Sequence, residues 1–546
     1  MRRTLTLQKV PIFAPDVDVK PVDAPTGGWD AISPLAKMDP KFAVVLENWV
    51  PRTGYVELRK GYNVWCQALT ASAIETLMTY RPPGASEKLF AAGGGSIWDV
   101  SSEGLPSLSA SGHSGSRWQY VNFTPGAPGA LSYLIAVNGT DAAQIYDGTS
   151  WADASVTGVA LGTLVNVCVH KRRLWFIQNQ STSAWYLAVD AIAGAATQFF
   201  LGPLMTKGGH LVAMGTWTID GGYGPDDYAV FVTSRGQIIL YKGIDPAVAA
   251  DWELVGVFDV APPLGRRCFY RSGADLWLIT LEGLIPISQA LPFNPSAVRS
   301  AALTSRIQNA MLNAAKSAQS AFGWEVVSYP AEGLVVMNVP IQENASQMQF
   351  VLNMLTGAWC KFTGWNANCF GLYDDVLYFG DNAGSVHLAY TSVADLVDPI
   401  SADMKCAFNY FGTTGRRKRM TMIQPLLVSS GAITPTMGVD VDFGDVSPSA
   451  LTSSITPVGA MYDASVYDTG TYAEGDVTLT HWLSVTAEGL ALAVRMKVNV
   501  VPSGAGAESV FDTGVFDAMV FDGFASEEAV LRVNAFNAMM EYGSNV

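Results

Sequence analysis

The residues that could do chemistry are few and scattered. Five histidines, His113, His170, His210, His387 and His481, never fall at a metal-ligand spacing such as HxxxH. Six cysteines, Cys66, Cys168, Cys268, Cys360, Cys369 and Cys406, include no CxxC pair. They signal neither zinc nor redox chemistry and are expected as buried free thiols. No GxSxG elbow, Walker A loop or dinucleotide fingerprint occurs. Gly93-Gly94-Gly95 has the composition of a phosphate loop, but the residues after it read as a strand and not as a helix N-terminus. No catalytic residue, metal or cofactor is expected, and the chain is not expected to be an enzyme.

Two kinds of cluster remain. One is an aromatic residue followed by Asp at every fifth position: Tyr462-Asp463, Tyr467-Asp468 and Tyr472, then Phe511-Asp512, Phe516-Asp517 and Phe521-Asp522. Such spacing suits a string of tight turns, the Asp accepting local backbone N–H groups and the ring packing inward. Calcium chelation is the alternative, but the alternate-residue oxygens of a calcium loop are missing. Ser465 to Tyr472 also resembles the Asp-box turn of sialidase propellers, with one extra residue between Ser465 and Asp468. The functional alternative it implies is a propeller that binds or degrades carbohydrate, which would need arginines converging on a substrate carboxylate. The other cluster is basic, Gly415-Arg416-Arg417-Lys418-Arg419, and reads as a hairpin turn. It is a solvated loop, an ion-pair contact with an acidic patch on another subunit or ring, or a DNA contact, which so acidic a chain disfavours.

The elements that must position these residues are β-hairpins. Lys88–Ala92 and Ser96–Val100 are short apolar runs joined by the three glycines, which tolerate the positive φ of a tight turn. The unit recurs at Tyr133–Val137 with Ala143–Tyr146, and at Arg173–Gln178 with Ala184–Val189. It recurs again at Tyr228–Thr233 with Gln237–Tyr241, and at Ala274–Thr280 with Leu284–Ile287. Gly333–Val339 with Gln349–Met354, and Val376–Phe379 with Ser385–Tyr390, complete the series. A hairpin cannot bury its apolar faces alone, so copies must stack. Further strands near Glu75–Tyr80, Trp118–Phe123, Asn166–His170, His210–Thr216 and Arg267–Arg271 would extend the hairpins to four-stranded blades. The fold class expected is all-β: a β-propeller of six to seven blades over residues 63–398, with a β-rich domain over 399–546. An irregular sandwich or a solenoid is the competing architecture. One helix, about 297–319, interrupts the pattern, with Ser296 as cap and Val298, Ala302, Ile307, Met311 and Leu312 on one face.

Composition narrows the function. The net charge is −15, which argues against tight binding of a phosphate backbone. Residues 401–546 hold 8 Lys and Arg against 16 Asp and Glu, about half of that excess. Apolar residues make up 49% of the chain and charged ones 15%, more apolar surface than a lone subunit needs. No secretion signal or membrane-spanning run is read. Proline-rich residues 1–45 are expected as an extended arm, laid over a surface or clasping a neighbour.

Residues 1–62 end in a lead-in segment, FAVVLENWVPRTGYVELRKGY, from Phe42 to Tyr62. Its Asn48, Pro51, Gly54, Leu58, Arg59, Gly61 and Tyr62 resemble the opening of tail-nozzle proteins of short-tailed bacteriophages, also called phage stabilisation or tail tubular-like proteins. The order of arm, lead-in, propeller and C-terminal β domain covers nearly the whole chain. The resemblance implies a structural subunit of a hexameric ring below the portal and adaptor, assembled in the host cytoplasm and carried in the virion tail. The ring would retain the genome and conduct double-stranded DNA during ejection, without binding it specifically. Expected partners are copies of itself, the adaptor or portal ring, and tail fibre, needle or plug proteins. Arg416, Arg417, Lys418 and Arg419 would then meet a neighbour. The toroid's lumen is expected to be electronegative, so that a polyanion slides. The alternative above becomes a tail-associated carbohydrate-binding or glycan-degrading propeller.

Overall fold

In the computed structural model, residues 17–220, 225–290, 301–429, 435–446, 448, 477–479, 481–500 and 530–545 are described. The chain is all-β, built of many small sheets, and compatible with a propeller-like fold. All seven expected hairpins form as antiparallel pairs. In the first, Gly94 and Gly95 take φ of +57° and +75°, the conformation of a tight two-residue hairpin turn.

Each hairpin is extended at its edges. Sheet 1 comprises Ile74–Tyr80, Lys88–Gly93, Ser96–Asp99 and Ser107–Ser111. Sheet 2 comprises Gln119–Phe123, Tyr133–Val137, Gln144–Tyr146 and Trp151–Asp153. Sheet 3 runs from Leu164–His170 to Thr197–Phe200, and sheet 4 from Leu211–Asp220 to Trp252–Asp259. Sheet 5 has three strands, Phe269–Ser272, Asp275–Thr280 and Gly283–Pro286. Sheet 6 runs from Glu325–Tyr329 to Ala358–Phe362, whose outer edge meets Phe42–Glu47 and so continues into a nine-stranded sheet. Sheet 7 comprises Ala367–Tyr373, Val376–Asp381 and Val386–Ser392, and its fourth strand is Gly61–Cys66 from the lead-in.

The middle strands read as continuous apolar runs because both their faces are covered. In Lys88–Gly93, Leu89 and Ala91 point into a core shared with sheet 7, and Phe90 and Ala92 into one shared with sheet 2. In Tyr133–Val137, Leu134 and Ala136 meet sheet 1, and Ile135 and Val137 meet sheet 3. The pattern continues: Trp175 and Ile177 pack against Ala229 and Phe231, and Val230 and Val232 against Leu276 and Leu278. Trp277 and Ile279 pack with Val335 and Met337, and Leu334 and Val336 with Leu377 and Phe379. Every sheet thus shares an apolar cluster with the next in sequence, and the seventh with the first.

Among the described residues the expected helix is interrupted at Ala302. A 3-10 turn, Leu303–Ile307, leads into the helix Gln308–Ala318, and Ala302 before it is extended. The cause is Thr304, a buried residue whose hydroxyl accepts from Leu284 N at 3.2 Å. This draws the pre-helical segment onto sheet 5, along the Gly283–Pro286 edge, where no fourth strand pairs among the described residues. Ser296 and Val298 lie outside the described residues.

The described part of the N-terminal stretch begins at Val17. From Val17 on it is woven into the C-terminal half of its own chain. Val17–Asp23 pairs with Leu531–Asn545, and Val56–Leu58 pairs with the same strand and with Trp49–Pro51. Phe42–Glu47 pairs with Ile400–Cys406, which continues through Leu492–Val500 to Thr436–Val441. Arg416–Ser429 carries Leu531–Asn545 along one edge and Leu483–Gly489 and Val477–Leu479 along the other. The strand Ile400–Cys406 ends before Asn409, whose Oδ1 accepts Phe411 N at 2.7 Å as Phe411 turns to φ +49°.

Candidate functional site

The lead-in residues converge on one buried polar node. Asn48 sits between two strands at φ +59°, a left-handed conformation that Asn tolerates better than most residues. Its Nδ2 donates to Thr363 Oγ1 at 3.0 Å and to Ser401 O at 2.7 Å. Its Oδ1 accepts from Arg59 Nε at 2.8 Å and from Thr363 N at 2.9 Å. Arg59 is 1% exposed and faces Asp395 bidentately, at 2.8 Å through Nη1 and 2.6 Å through Nη2. Nη1 also donates to Lys60 O at 3.0 Å and Nη2 to Thr363 O at 2.5 Å, so all five guanidinium donors are used. Phe362 and Trp365 lie 5.7 and 5.4 Å from the cation.

The remaining lead-in residues build the walls. A Cβ on Gly61 would lie 1.8 Å from Ala394 O, so only glycine lets the two backbones meet there. Tyr62 stands edge-on to Phe379 and His387, and burial with Asp395 nearby pushes its hydroxyl up to about 12. Pro51 O accepts from Asn353 Nδ2 at 2.9 Å. Gly54, at φ +87°, turns the chain so that Arg52 N reaches Tyr55 O, and Leu58 is buried in the large shared core. The node joins the lead-in, the end of sheet 6, the loop after sheet 7 and the strand Ile400–Cys406. With its donors and acceptors spent inside the protein, it fastens these parts together and offers little to a ligand.

A second polar locus lies where the first strands of all seven sheets line a cavity of ≈ 440 Å³. The lining residues that carry charge at neutral pH are Arg81, Arg266, Arg267 and Glu325. This is the opposite sign to the electronegative lumen expected. Glu325 faces the cavity too, but it is spent on Arg267, one of the two arginines just before sheet 5. Arg267 braces the cavity: Nη1 meets Glu325 at 2.9 Å, and Nη2 reaches Glu75 O, Thr76 Oγ1 and Trp118 O at 2.9, 2.8 and 3.2 Å. Glu325 also accepts Phe370 N at 2.5 Å. Burial raises its carboxyl pKa, against the opposing pull of Arg267.

The basic cluster is not a hairpin turn. Arg416, Arg417, Lys418 and Arg419 begin the strand Arg416–Ser429 and therefore alternate in direction. Lys418 is fully buried, and its Nζ donates to Thr413 O, to Arg416 O at 2.9 Å and to Leu490 O at 2.7 Å. Arg417 and Arg419 point outward beside Glu488 and Glu541 at 3.5 and 3.7 Å, and Arg416 stacks over Tyr542. Tyr462, Asp463, Tyr467, Asp468, Phe511, Asp512, Phe516, Asp517, Phe521 and Asp522 lie outside the described residues.

The sequence reading missed Asp395 and Thr363, which carry no local signal of pairing with Arg59. It also missed Arg266-Arg267, although a Gly-Arg-Arg step ahead of an inner strand was visible.

No protein-family model matches the chain, and no curated protein matches it in sequence. Solved structures align with it at low similarity. They include the computationally designed Ika8 protein, at TM-score 0.34 and 9% identity over 60% of this chain and 99% of that one. BBS1N, solved in complex with ARL6DN, aligns at TM-score 0.37 and 10% identity over 62% of this chain and 100% of that one. A glycoside hydrolase family 43 arabinoxylan arabinofuranohydrolase from Bacillus subtilis aligns at TM-score 0.24 and 10% identity, over 96% and 100% of the two chains.

Proposed function

We propose that the seven small sheets are the blades of one closed propeller, and that the chain is a structural subunit of a ring of the tail-nozzle kind. Closure is supported by the cyclic order of shared cores, sheet 7 returning to sheet 1. It is supported again by Gly61–Cys66 completing the last sheet, which clasps the two ends of the circle together. The observation that carries the ring reading is the Arg59–Asp395 node. The residues that resemble the nozzle lead-in are the ones that fuse lead-in, propeller and C-terminal domain into a single body. A subunit that holds a pressurised genome needs that rigidity.

In this reading the DNA path runs between subunits. A cavity of ≈ 440 Å³, crossed by Arg267, suits a small molecule and not a duplex. The net charge of −15 keeps the assembled passage from gripping phosphates. Copies of the chain, the adaptor or portal ring, and distal fibre, needle or plug proteins are the partners, and the virion tail is the location. Arg417 and Arg419 are exposed on their strand beside Glu488 and Glu541. Exposed pairs of this type contribute at most about 1 kcal/mol, so they can exchange for a neighbour's carboxylates. Light scattering on the purified protein tests the proposal. A mass six times the 58.3 kDa chain supports it. A strict monomer at every concentration, together with absence from purified particles, contradicts it.

A further inference from the structure

We propose that the cavity at the convergence of the seven sheets binds a small oxyanion on Arg266. Arg266 lines the cavity and makes one hydrogen bond, from Nη1 to Asn138 O at 3.1 Å. Among the described residues no carboxylate pairs with it. Three nearby arginines are matched by carboxylates. Arg267 has Glu325 at 2.9 Å, Arg117 has Glu75 at 2.9 Å and Glu343 at 2.6 Å, and Arg81 has Glu87 at 3.3 Å.

The field around Arg266 is cationic. Arg117 and partial burial both hold its guanidinium below the usual arginine range, burial being the larger cause. Arg235 and Arg266 together add to the burial that keeps His210 below the usual histidine range. Arg235 itself has no carboxylate partner among the described residues. Arg266 is solvent-exposed, and an anion bound beside it would offset the repulsion from the neighbouring cations and favour its charged form.

The site has room and a fixed geometry. The cavity falls in the size range of small-molecule pockets. Gly139, at φ +81°, lets the guanidinium approach, since a Cβ there would lie 3.2 Å from Arg266 Nη1. Arg presents a planar fork that matches carboxylate and phosphate oxygens, and one bond to Asn138 O leaves most of its donors for the ligand. The cavity volume excludes duplex DNA, so the ligand class is a free phosphate or small carboxylate. The inference does not depend on ring assembly and applies equally to an isolated subunit.

Calorimetry on the full chain tests it, with inorganic phosphate and succinate as separate titrants at matched ionic strength and chloride as the reference. Saturable binding of either titrant is expected, weakened about tenfold or more in Arg266→Gln, the scale of losing one charge-assisted bond. Equal binding by Arg266→Gln, or no saturable binding by the wild type, overturns the proposal. So does tight binding of a duplex oligonucleotide that phosphate cannot displace. A wild-type crystal soaked in tungstate gives the same test without a variant. Anomalous density within hydrogen-bond reach of Arg266 is expected, and a cavity free of such density overturns it.

Discussion

Replacing Arg59 with Met should cost more stability than any exposed substitution in the chain. The change removes a cation whose side chain is 0% exposed from a carboxylate, Asp395, whose side chain is 9% exposed. Removing one partner of a buried ion pair costs about 3–5 kcal/mol, because the other charge stays buried and unpaired. Asn48 Oδ1 keeps Thr363 N and so loses little, but Thr363 O loses its Arg59 donor. This part-buried acceptor left without a partner adds up to about 1 kcal/mol, the low end for an orphaned group. A loss of about 4 kcal/mol or more is therefore expected, read as a fall in the denaturant midpoint at unchanged slope. The companion variant Arg59→Met with Asp395→Leu removes both charges. It should recover a large part of the loss, since an apolar pair of similar volume replaces a buried ion pair at little cost. A loss below about 1 kcal/mol in Arg59→Met, or a double variant no better than the single, would refute the role given to this node.

Further predictions follow from the same contacts. Gly61→Ala places a methyl 1.8 Å from Ala394 O and should destabilise by about 2 kcal/mol or more, measured by thermal melting. Asp141 is subject to burial, which raises its pKa, but the Ser114 amide, the Asn138 side chain and the Gly115 amide outweigh it and bring the group down to about 2. Its stabilisation is present above the unfolded carboxylate value and lost as pH falls toward 2, so Asp141→Asn should flatten the wild-type acid melting curve below pH 4. Lys418 is held below the ordinary lysine value by burial, so the folded state gives up this proton before the unfolded state does. Its contribution to stability therefore rises with pH between the folded value and 10.5, and Lys418→Met should lack that rise when melting is followed from neutral to alkaline pH.

Much of the architecture was legible because hairpin turn chemistry is local. Gly94-Gly95 and the Asn138-Gly139 turn announce their strands within a few residues, and the continuous apolar runs beside them record burial on both faces. The pairing of Gly61–Cys66 with Val386–Ser392 was not legible, since strands from opposite ends of a propeller-like circle share no local signal. The same holds for Val17–Asp23 on Leu531–Asn545, two strands from far apart in the chain. The basic cluster was misread because charge was equated with exposure. In a strand, successive side chains face opposite ways, so Lys418 points into the protein between two arginines that point out. The lead-in motif was found by type and spacing, but the partner that gives Arg59 its meaning, Asp395, lies far along the chain.

Cryo-electron microscopy of the assembled protein tests the central claim most directly. The account predicts a six-fold ring in which each subunit shows seven radial sheets around its own braced cavity, with the DNA passage lying between subunits. Isolated subunits lacking radial sheets, or a duplex threaded through the cavity of a single chain, would contradict it.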